Sequence, residues 1–258
     1  MTQQSSLCVR RRIAVYAGAL SIIGSVFGQG GYKAPRTWDN QPDLQGIWQA
    51  SGPAYLNIEP HTASTGVPAG LGIVTDPGDG KIPYLPAALA QRQSNAQNPQ
   101  KDPVNKCFMP GVPRFVYMPY PFQIFQTKTQ VTLTSEYVHG TRNIFLGGEH
   151  LEGVDFYNGD ARGRWEGDTL VVDVTNFNDQ TWFDHAGNYH SDALHVVERF
   201  TRASPDVLNY EAAIEDPKVF SRAWKVTVPL YRHQEKNFRI LEYECRAYLE
   251  EDAKAGKE

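Results

Sequence analysis

The segment between Trp182 and Glu198 carries the densest group of side chains that could do chemistry. It holds three histidines and two aspartates, namely His185, His190, His195, Asp184 and Asp192. Histidine ordinarily titrates near neutrality, so a histidine beside a carboxylate is the commonest acid–base pair. The spacing predicts a catalytic dyad of Asp184 with His190, or of Asp192 with His195, in a loop folded over a barrel mouth. The alternative is that the aspartates cap turns and the histidines only bind the loop to the rim.

Residues 194–202 follow this loop and alternate as a β-strand does, with ionisable side chains on both faces. Glu198 shares one face with apolar neighbours, whereas His195 and Arg199 share the other. A Glu198 buried among apolar side chains would keep its proton and could act as an acid. On the opposite choice of face, His195 and Arg199 line the interior. The remaining alternative is that Glu198 or Arg199 forms an ion pair on the outer face.

The segment EYVHGTR supplies a second set of candidates in Tyr137, His139 and Arg142. Tyr137 and His139 are predicted catalytic groups, because a phenol or an imidazole can donate or accept a proton. Arg142 could hold a carboxylate or a developing oxyanion. Together with Trp182, His185 and Arg199, it is predicted to bind the substrate. The alternative is a turn with no chemical role.

Organic cofactors have no motif in this chain, and a metal is only an alternative. There is no G-x-S-x-G elbow, no dinucleotide fingerprint and no P-loop. The histidines at 185, 190 and 195, with Asp184 or Asp192, would provide enough ligands for zinc or another divalent metal. Their even spacing matches no zinc motif, so we predict a site without a metal.

The N-terminus has the anatomy of a signal peptide. Three arginines, Arg10 to Arg12, precede an apolar run over residues 13–27 that ends near Gly28. The run is too short for a comfortable membrane span, although an uncleaved anchor is the alternative. We predict a signal peptide over residues 1–28, an extended lead-in over residues 29–42, and a periplasmic or secreted protein.

Export would leave Cys107 and Cys245 as the cysteines of the mature chain. An even number of cysteines in an oxidising compartment predicts a disulfide, and the alternative is two separate buried thiols. The bridge would close a long loop, which the chain-entropy treatment values at roughly 4–5 kcal/mol.

Residues 43–249 are predicted to form a single all-β domain, followed by a flexible tail over residues 250–258. Alternating segments separated by short turns are typical of an antiparallel up-and-down barrel. The predicted strands cover residues 122–127, 130–137, 142–146, 170–174, 194–202, 209–215, 223–229 and 238–246. Residues 55–105 form a long irregular region with one short helix at 87–92, and such regions serve as binding loops or as surface excursions.

Two resemblances add to this interpretation. Gly46 and Trp48 on the predicted first strand resemble the Gly-x-Trp signature of lipocalins and calycins, in which the tryptophan plugs the closed end of the barrel. The segment GRWEGDTLVVDVTNFNDQTWFDHAGNYHSDALHVVERFTR, with KCFMPGVPR, EYVHGTRNIFLGG and LEYEC, resembles a large family of exported bacterial proteins described mostly as hypothetical. This second resemblance covers about residues 43–245 and implies no settled chemistry. The chain departs from the family after Cys245, where Arg246 and Ala247 replace a His-Glu-Gly-Asn-like tail.

Two functions follow from these patterns. The first is an enzyme without an organic cofactor that uses histidine and carboxylate groups on a hydrophobic, aromatic or polycyclic small molecule, as a lyase, dehydratase or isomerase. The alternative is a non-catalytic, lipocalin-like binding protein of the periplasm. A net charge of −4 gives no electrostatic case for nucleic acid or an anionic membrane. Convergence of the polar residues in one pocket would favour the enzyme, and their dispersal would favour the binding protein.

Overall fold

The structure is a computed structural model that describes residues 32–255 as one mostly β domain. The predicted signal peptide lies outside the described residues. The strands are β1 (Gly46–Ala50), β2 (Val74–Asp76), β3 (Phe122–Gln126), β4 (Gln130–Ser135), β5 (Thr141–Leu146), β6 (Asp160–Glu166), β7 (Thr169–Thr175), β8 (His195–Ser204), β9 (Val207–Glu215) and β10 (Trp224–Arg232). The α-helices are α1 (Pro86–Ala96), α2 (Arg114–Tyr117) and α3 (Cys245–Ala255), and short 3-10 helices cover Pro99–Lys101 and Pro103–Lys106. The predicted helix at 87–92 is confirmed within α1.

Nine of the strands close into a barrel. The order is β1-β3-β4-β5-β6-β7-β8-β9-β10, and β10 pairs back onto β1, with Trp48 opposite Arg232. The short strand β2 pairs with another part of β10, around Val226. The predicted all-β barrel is therefore confirmed. No helix within residues 32–255 is long and apolar enough to cross a membrane.

One strand pair departs from the predicted antiparallel up-and-down order. β5 and β6 are parallel, with Ile144 opposite Ala161 and Leu146 opposite Gly163. A parallel pair needs a connection long enough to carry the chain back to its starting end, and residues 147–159 are long enough to do so. The up-and-down prediction is wrong here because those residues form a crossover rather than a hairpin. We call residues 147–159 the β5–β6 loop.

The barrel interior is packed with side chains from alternating positions of the strands. Period-two alternation places these residues on the inner face, and their burial stabilises the barrel by roughly 1.5–3 kcal/mol for each large apolar side chain. Trp48 is fully buried on β1, and the guanidinium groups of Arg202 and Arg232 lie 5.5 and 5.9 Å from its ring centre. Other buried inner-face residues include Val196 and Phe200 on β8, Leu208 and Ala212 on β9, and Val226 and Val228 on β10.

The C-terminal region is attached to the barrel by the predicted disulfide. Cys107 and Cys245 are bonded, with an S–S distance of 2.02 Å across 138 positions of sequence. The predicted final strand at 238–246 is wrong, because residues 238–244 are irregular and α3 begins at Cys245. Closure of the barrel gives β10 partners on both sides, which leaves no free edge for another strand. The first part of the predicted tail belongs to α3.

Candidate functional site

The loop that joins β7 to β8, residues 176–194, contains three of the seven sequence-predicted catalytic residues, namely Asp184, His190 and Asp192, and most of it is buried or half-buried. Asp184 has no exposed surface and accepts hydrogen bonds from the Ile58 N–H at 2.9 Å, the Asn188 N–H at 3.1 Å and the Asn188 side-chain amide at 2.6 Å. Burial raises the pKa of Asp184 to about 6, although these hydrogen bonds favour its charge. The carboxylate joins the backbone at Ile58 to Asn188 of its own loop and has no surface open to a substrate.

His190, in the same loop, has a partner for each ring nitrogen. Nδ1 lies 2.8 Å from the Ser191 carbonyl oxygen, and Nε2 lies 2.6 Å from the Thr181 hydroxyl. A carbonyl only accepts, so Nδ1 carries the proton and Nε2 accepts from Thr181. Burial lowers the pKa of His190, which is consistent with a neutral ring. The structure therefore does not form the predicted dyad of Asp184 with His190.

His185 takes part in a buried ionic cluster with residues from two other segments. Its Nδ1 lies 2.6 Å from the Asp102 carboxylate, which also accepts from Arg114 at 2.9 and 2.8 Å. Burial opposes the charge on Asp102, but the His185 and Arg114 hydrogen bonds prevail and lower the pKa of Asp102. Trp182 contributes its backbone oxygen, 3.4 Å from Arg114. These contacts fasten the β7–β8 loop to the segment around α2.

The other predicted acid–base residues lie in separate places. Asp192 is exposed and pairs with Lys218 at 2.6 Å, so the predicted dyad of Asp192 with His195 does not form. Tyr137 is buried and donates to the Val104 carbonyl at 2.7 Å, and burial raises its pKa. His139 is half-exposed and lies 2.8 Å from Glu244.

The predicted zinc alternative has no support from this arrangement. Within residues 32–255, no group of three or more His, Cys, Asp or Glu side chains is placed to hold a metal ion. His185, His190 and His195 instead have different partners, as their contacts with Asp102, Ser191 and Asp173 show.

Two of the predicted site residues do meet, but inside the barrel. Arg142 of β5 and Glu198 of β8 form a two-pronged ion pair, with Nη1 2.9 Å from Oε1 and Nη2 against Oε2. The Tyr210 hydroxyl donates to the same carboxylate at 2.8 Å, and all three side chains are buried. Of the two faces left open for this strand, the structure places that of Glu198 inside the barrel, and its partner is a guanidinium rather than an apolar wall. Sequence reasoning missed Tyr210, although its parity on β9 places it on the inner face.

Arg199 lies on the outer face of β8, beside the inward-facing Glu198. It forms an ion pair with Glu166 at 3.1 Å, and an outer-face ion pair was the alternative given for this residue. Its side chain is 39% exposed, so solvent screens the pair and the pair adds little to stability. Arg199 therefore does not line the interior.

A pocket of about 390 Å³ opens on the outside of the barrel, where the β5–β6 loop passes over β5. We call it the outer pocket. Its lining is mainly apolar and includes Met109, Phe145, Leu151, Phe156 and Tyr157, with Asp160 at one side. This volume lies within the range of small-molecule sites, which is about 300–1,000 Å³. The sequence signal was Phe145, an aromatic residue that shares the outward face of β5 with Thr141 and Asn143.

A chain of hydrogen bonds runs beside the outer pocket across β6, β7 and β8. The ring nitrogens of His150 lie 3.1 Å from Asp160 and 2.9 Å from Asp173. His195 lies 3.0 Å from the other oxygen of Asp173, and Arg162 donates to both oxygens of Asp160 at 3.1 and 3.0 Å. We call these five residues the outer His–Asp cluster. Of its members, sequence reasoning singled out only His195.

The two carboxylates of the outer His–Asp cluster are held as anions. Burial opposes the charge on Asp160, but the Leu151 N–H, Arg162 and His150 together lower the pKa of Asp160. Burial likewise opposes the charge on Asp173, and the hydrogen bonds from His195 and His150 lower the pKa of Asp173. Carboxylates so strongly bound are weak proton acceptors at neutral pH.

Comparison with known proteins gave no match to a family model, to a curated protein or to a solved structure. Membership in the family of exported bacterial proteins therefore stays a prediction. The functional interpretation is therefore based on the contacts and burial of the side chains.

Proposed function

We propose that the protein binds an apolar, aromatic or polycyclic small molecule in the outer pocket. The single observation that carries this proposal is the pocket of about 390 Å³ with its aromatic and aliphatic lining. Phe145 is 41% exposed and Leu151 is 50% exposed in the described structure. Covering such side chains gains roughly 25 cal/mol for each Å² of apolar surface removed from water.

Binding rather than catalysis is favoured by the dispersal of the acid–base residues. Asp184, His190 and Glu198 are buried and fully engaged with protein partners. Asp160, the carboxylate that lines the outer pocket, already accepts from a backbone amide, an arginine and a histidine. A ligand in the pocket therefore meets mainly apolar surface, and the two charged lining residues, Arg142 and Asp160, are already bound to protein partners, so no base is available.

A second candidate function is the enzyme without an organic cofactor, of lyase, dehydratase or isomerase type. The observation that favours it is Asp173, whose carboxylate lies between the imidazoles of His150 and His195. Such a carboxylate orients a histidine and leaves its other nitrogen to move a proton. In His195, Nε2 contacts Asp173. The other ring nitrogen, Nδ1, lies near the surface, 4.0 Å from the Glu215 carboxylate.

We further propose that the protein works in the periplasm or outside the cell. The Cys107–Cys245 disulfide supports this location, because structural disulfides persist in oxidising compartments. A relationship to lipocalins is likewise a proposal, supported by Trp48 of the Gly-x-Trp triplet, which is buried on the first strand.

Fluorescence titration with N-phenyl-1-naphthylamine, an uncharged apolar probe, tests the proposed binding site. The substitution Phe145→Ala should weaken probe binding about tenfold, because it removes roughly 1–2 kcal/mol of apolar contact. The matched control is Phe125→Ala on β3, since Phe125 is 45% exposed on the outer face but does not line the pocket. Equal affinity in both variants, or no binding by the wild-type protein, would overturn the proposal.

Assay of the His195→Ala variant distinguishes the second candidate. The enzyme interpretation expects turnover of a bound compound to be lost while probe affinity is retained. A binding protein shows unchanged affinity and no turnover in either form.

A further inference from the structure

The β5–β6 loop is fastened to the barrel partly by groups that do not titrate. The Phe156 N–H donates to the Asn176 carbonyl at 2.8 Å, and the Asn178 N–H donates to the Phe156 carbonyl at 3.0 Å. The Asn176 side-chain amide donates to the Leu151 carbonyl and, at 3.2 Å, to the Val154 carbonyl. These contacts have the same strength at every pH near neutrality, and they hold the second half of the loop together with the Leu151 carbonyl.

The first half of the loop is held by His150 as well as by contacts of Gly147 and Leu151. This side chain lies between two carboxylates, with Nδ1 3.1 Å from Asp160 and Nε2 2.9 Å from Asp173. An ionised carboxylate only accepts hydrogen bonds, so both contacts are hydrogen bonds only when each ring nitrogen carries a proton. A neutral ring would direct one nitrogen lone pair at a carboxylate oxygen, which replaces an attraction with a repulsion.

The neighbouring charges fix the sign of this dependence. His150 faces two anions, and the permanent cation Arg162 is itself committed to Asp160. His195 binds the second oxygen of Asp173 and has Glu215 behind it at 4.0 Å. The charged groups that bind His150 are Asp160 on β6 and Asp173 on β7, and those that bind these partners in turn are Arg162 on β6 and His195 on β8, with Glu215 on β9 behind His195. Glu149 and Glu152 flank His150 in the sequence of its own loop.

The position of His150 links this contact to the outer pocket. The next residue, Leu151, lines the pocket, and its N–H donates at 2.9 Å to the same Asp160 oxygen that His150 binds. Asp160 is itself part of the pocket wall. Release of His150 therefore removes one of the contacts that hold the segment placing Leu151 over the pocket.

We propose that His150 is a pH-dependent latch, which closes the first half of the β5–β6 loop over the outer pocket when protonated and releases it when neutral. Histidine is the side chain that ordinarily changes charge between pH 5 and 8. The lowered pKa values of Asp160 and Asp173 keep both carboxylates ionised over that range. The latch therefore holds in mildly acidic solution and weakens as the pH rises. Control of ligand binding rests on the proposed function, whereas movement of the loop does not.

Hydrogen exchange at the Leu151 amide, followed by NMR, tests the latch without any ligand. After correction for intrinsic exchange, protection in the wild-type protein should fall about tenfold between pH 5.5 and pH 8, because a charge-assisted contact is lost. The substitution His150→Gln should remove this pH dependence, since an amide cannot gain a proton. His139→Gln is the matched control, because His139 also pairs with a carboxylate but lies against Glu244. His195→Gln should retain most of the dependence.

Protection in the wild-type protein that does not vary with pH would overturn the latch, whether or not His150→Gln folds. A pH dependence that survives in His150→Gln but disappears in His195→Gln would also overturn it.

Titration with N-phenyl-1-naphthylamine at the same two pH values tests control of the pocket. The wild-type protein should bind this uncharged probe several-fold more tightly at pH 5.5, and His150→Gln should bind equally at both. Equal affinity of the wild-type protein at both values, with pH-dependent exchange, would overturn control of the pocket. Failure of the probe to bind at any pH would instead contradict the proposed function and leave the exchange result intact.

Discussion

The β7–β8 loop and the β5–β6 loop differ in whether their side chains are accessible to a ligand. The β7–β8 loop is rich in acid–base residues, yet Asp184 and His190 are buried and bound to protein groups. The β5–β6 loop has a single histidine, but it presents Leu151 to an open pocket. The density of reactive residue types along a sequence therefore does not measure their availability. Burial and prior partners decide which side chains can meet a ligand.

His190 of the β7–β8 loop and His150 of the β5–β6 loop show the same contrast in their hydrogen-bond partners. His190 and His150 each have partners on both ring nitrogens. A carbonyl and a hydroxyl surround His190 and fit a neutral ring, whereas two carboxylates surround His150 and fit a charged one. The first arrangement fixes a loop permanently, and the second makes its attachment depend on pH.

The largest expected effect is the loss of stability when the carboxylate of the β7–β8 loop is removed. Asp184→Ala should lower the free energy of unfolding by about 3–5 kcal/mol, because three buried N–H donors lose their acceptor. Asp155→Ala in the β5–β6 loop should change it by less than about 0.5 kcal/mol, since Asp155 is exposed. Urea denaturation of both variants measures the difference. Similar midpoints would show that the two loops do not differ in this way.

The next largest effect is the dependence of the unfolding free energy on pH that Asp184 causes. Its pKa is raised from 3.8 to about 6, so the folded state binds more protons than the unfolded state between those values. The protonated carboxyl group of Asp184 therefore contributes about 3 kcal/mol to the free energy of unfolding below about pH 4. This contribution is lost as the pH rises through 6. The difference in unfolding free energy between the wild-type protein and Asp184→Asn should shift by that amount between pH 4 and pH 7. A difference that stays constant with pH would contradict the assigned environment.

A smaller effect separates His190 from His195. His190→Ala should cost about 2 kcal/mol, because it leaves the Thr181 hydroxyl without its buried partner and removes contact with the Phe183 ring, 5.4 Å away. His195→Ala should cost less than about 1 kcal/mol, since His195 is 38% exposed. Thermal unfolding of the two variants provides the measurement. A larger loss for His195 would reverse the comparison.

The parts of the fold that could be predicted depend on local sequence patterns or on the number of cysteines in the mature chain. Period-two alternation predicted most of the strands and separated Glu198 from His195 and Arg199 without deciding which face is the inner one, and two cysteines in the mature chain predicted their disulfide. The direction of β6 was not predictable, because residues 147–159 carry no signal that distinguishes a crossover from a hairpin. The strand predicted at 238–246 failed because closure of the barrel, a property of the whole sheet, removed its partner.

The partners of the candidate residues were harder to predict than their positions. Asp173 meets His195 because β7 and β8 pair in a particular register, and Arg142 meets Glu198 across the interior of the barrel. Neither contact follows from spacing along the chain. The outer pocket was missed for the same reason, since it exists only where the β5–β6 loop folds back over Phe145.

The most direct test of the central claim is NMR mapping of the probe on the wild-type protein. Addition of N-phenyl-1-naphthylamine should shift amide signals of residues 141–145 and 151–161, which surround the outer pocket. Signals from residues 181–192 of the β7–β8 loop should stay in place. Shifts confined to residues 181–192 would place the binding site in the loop that the sequence favoured and would contradict the account given for the outer pocket.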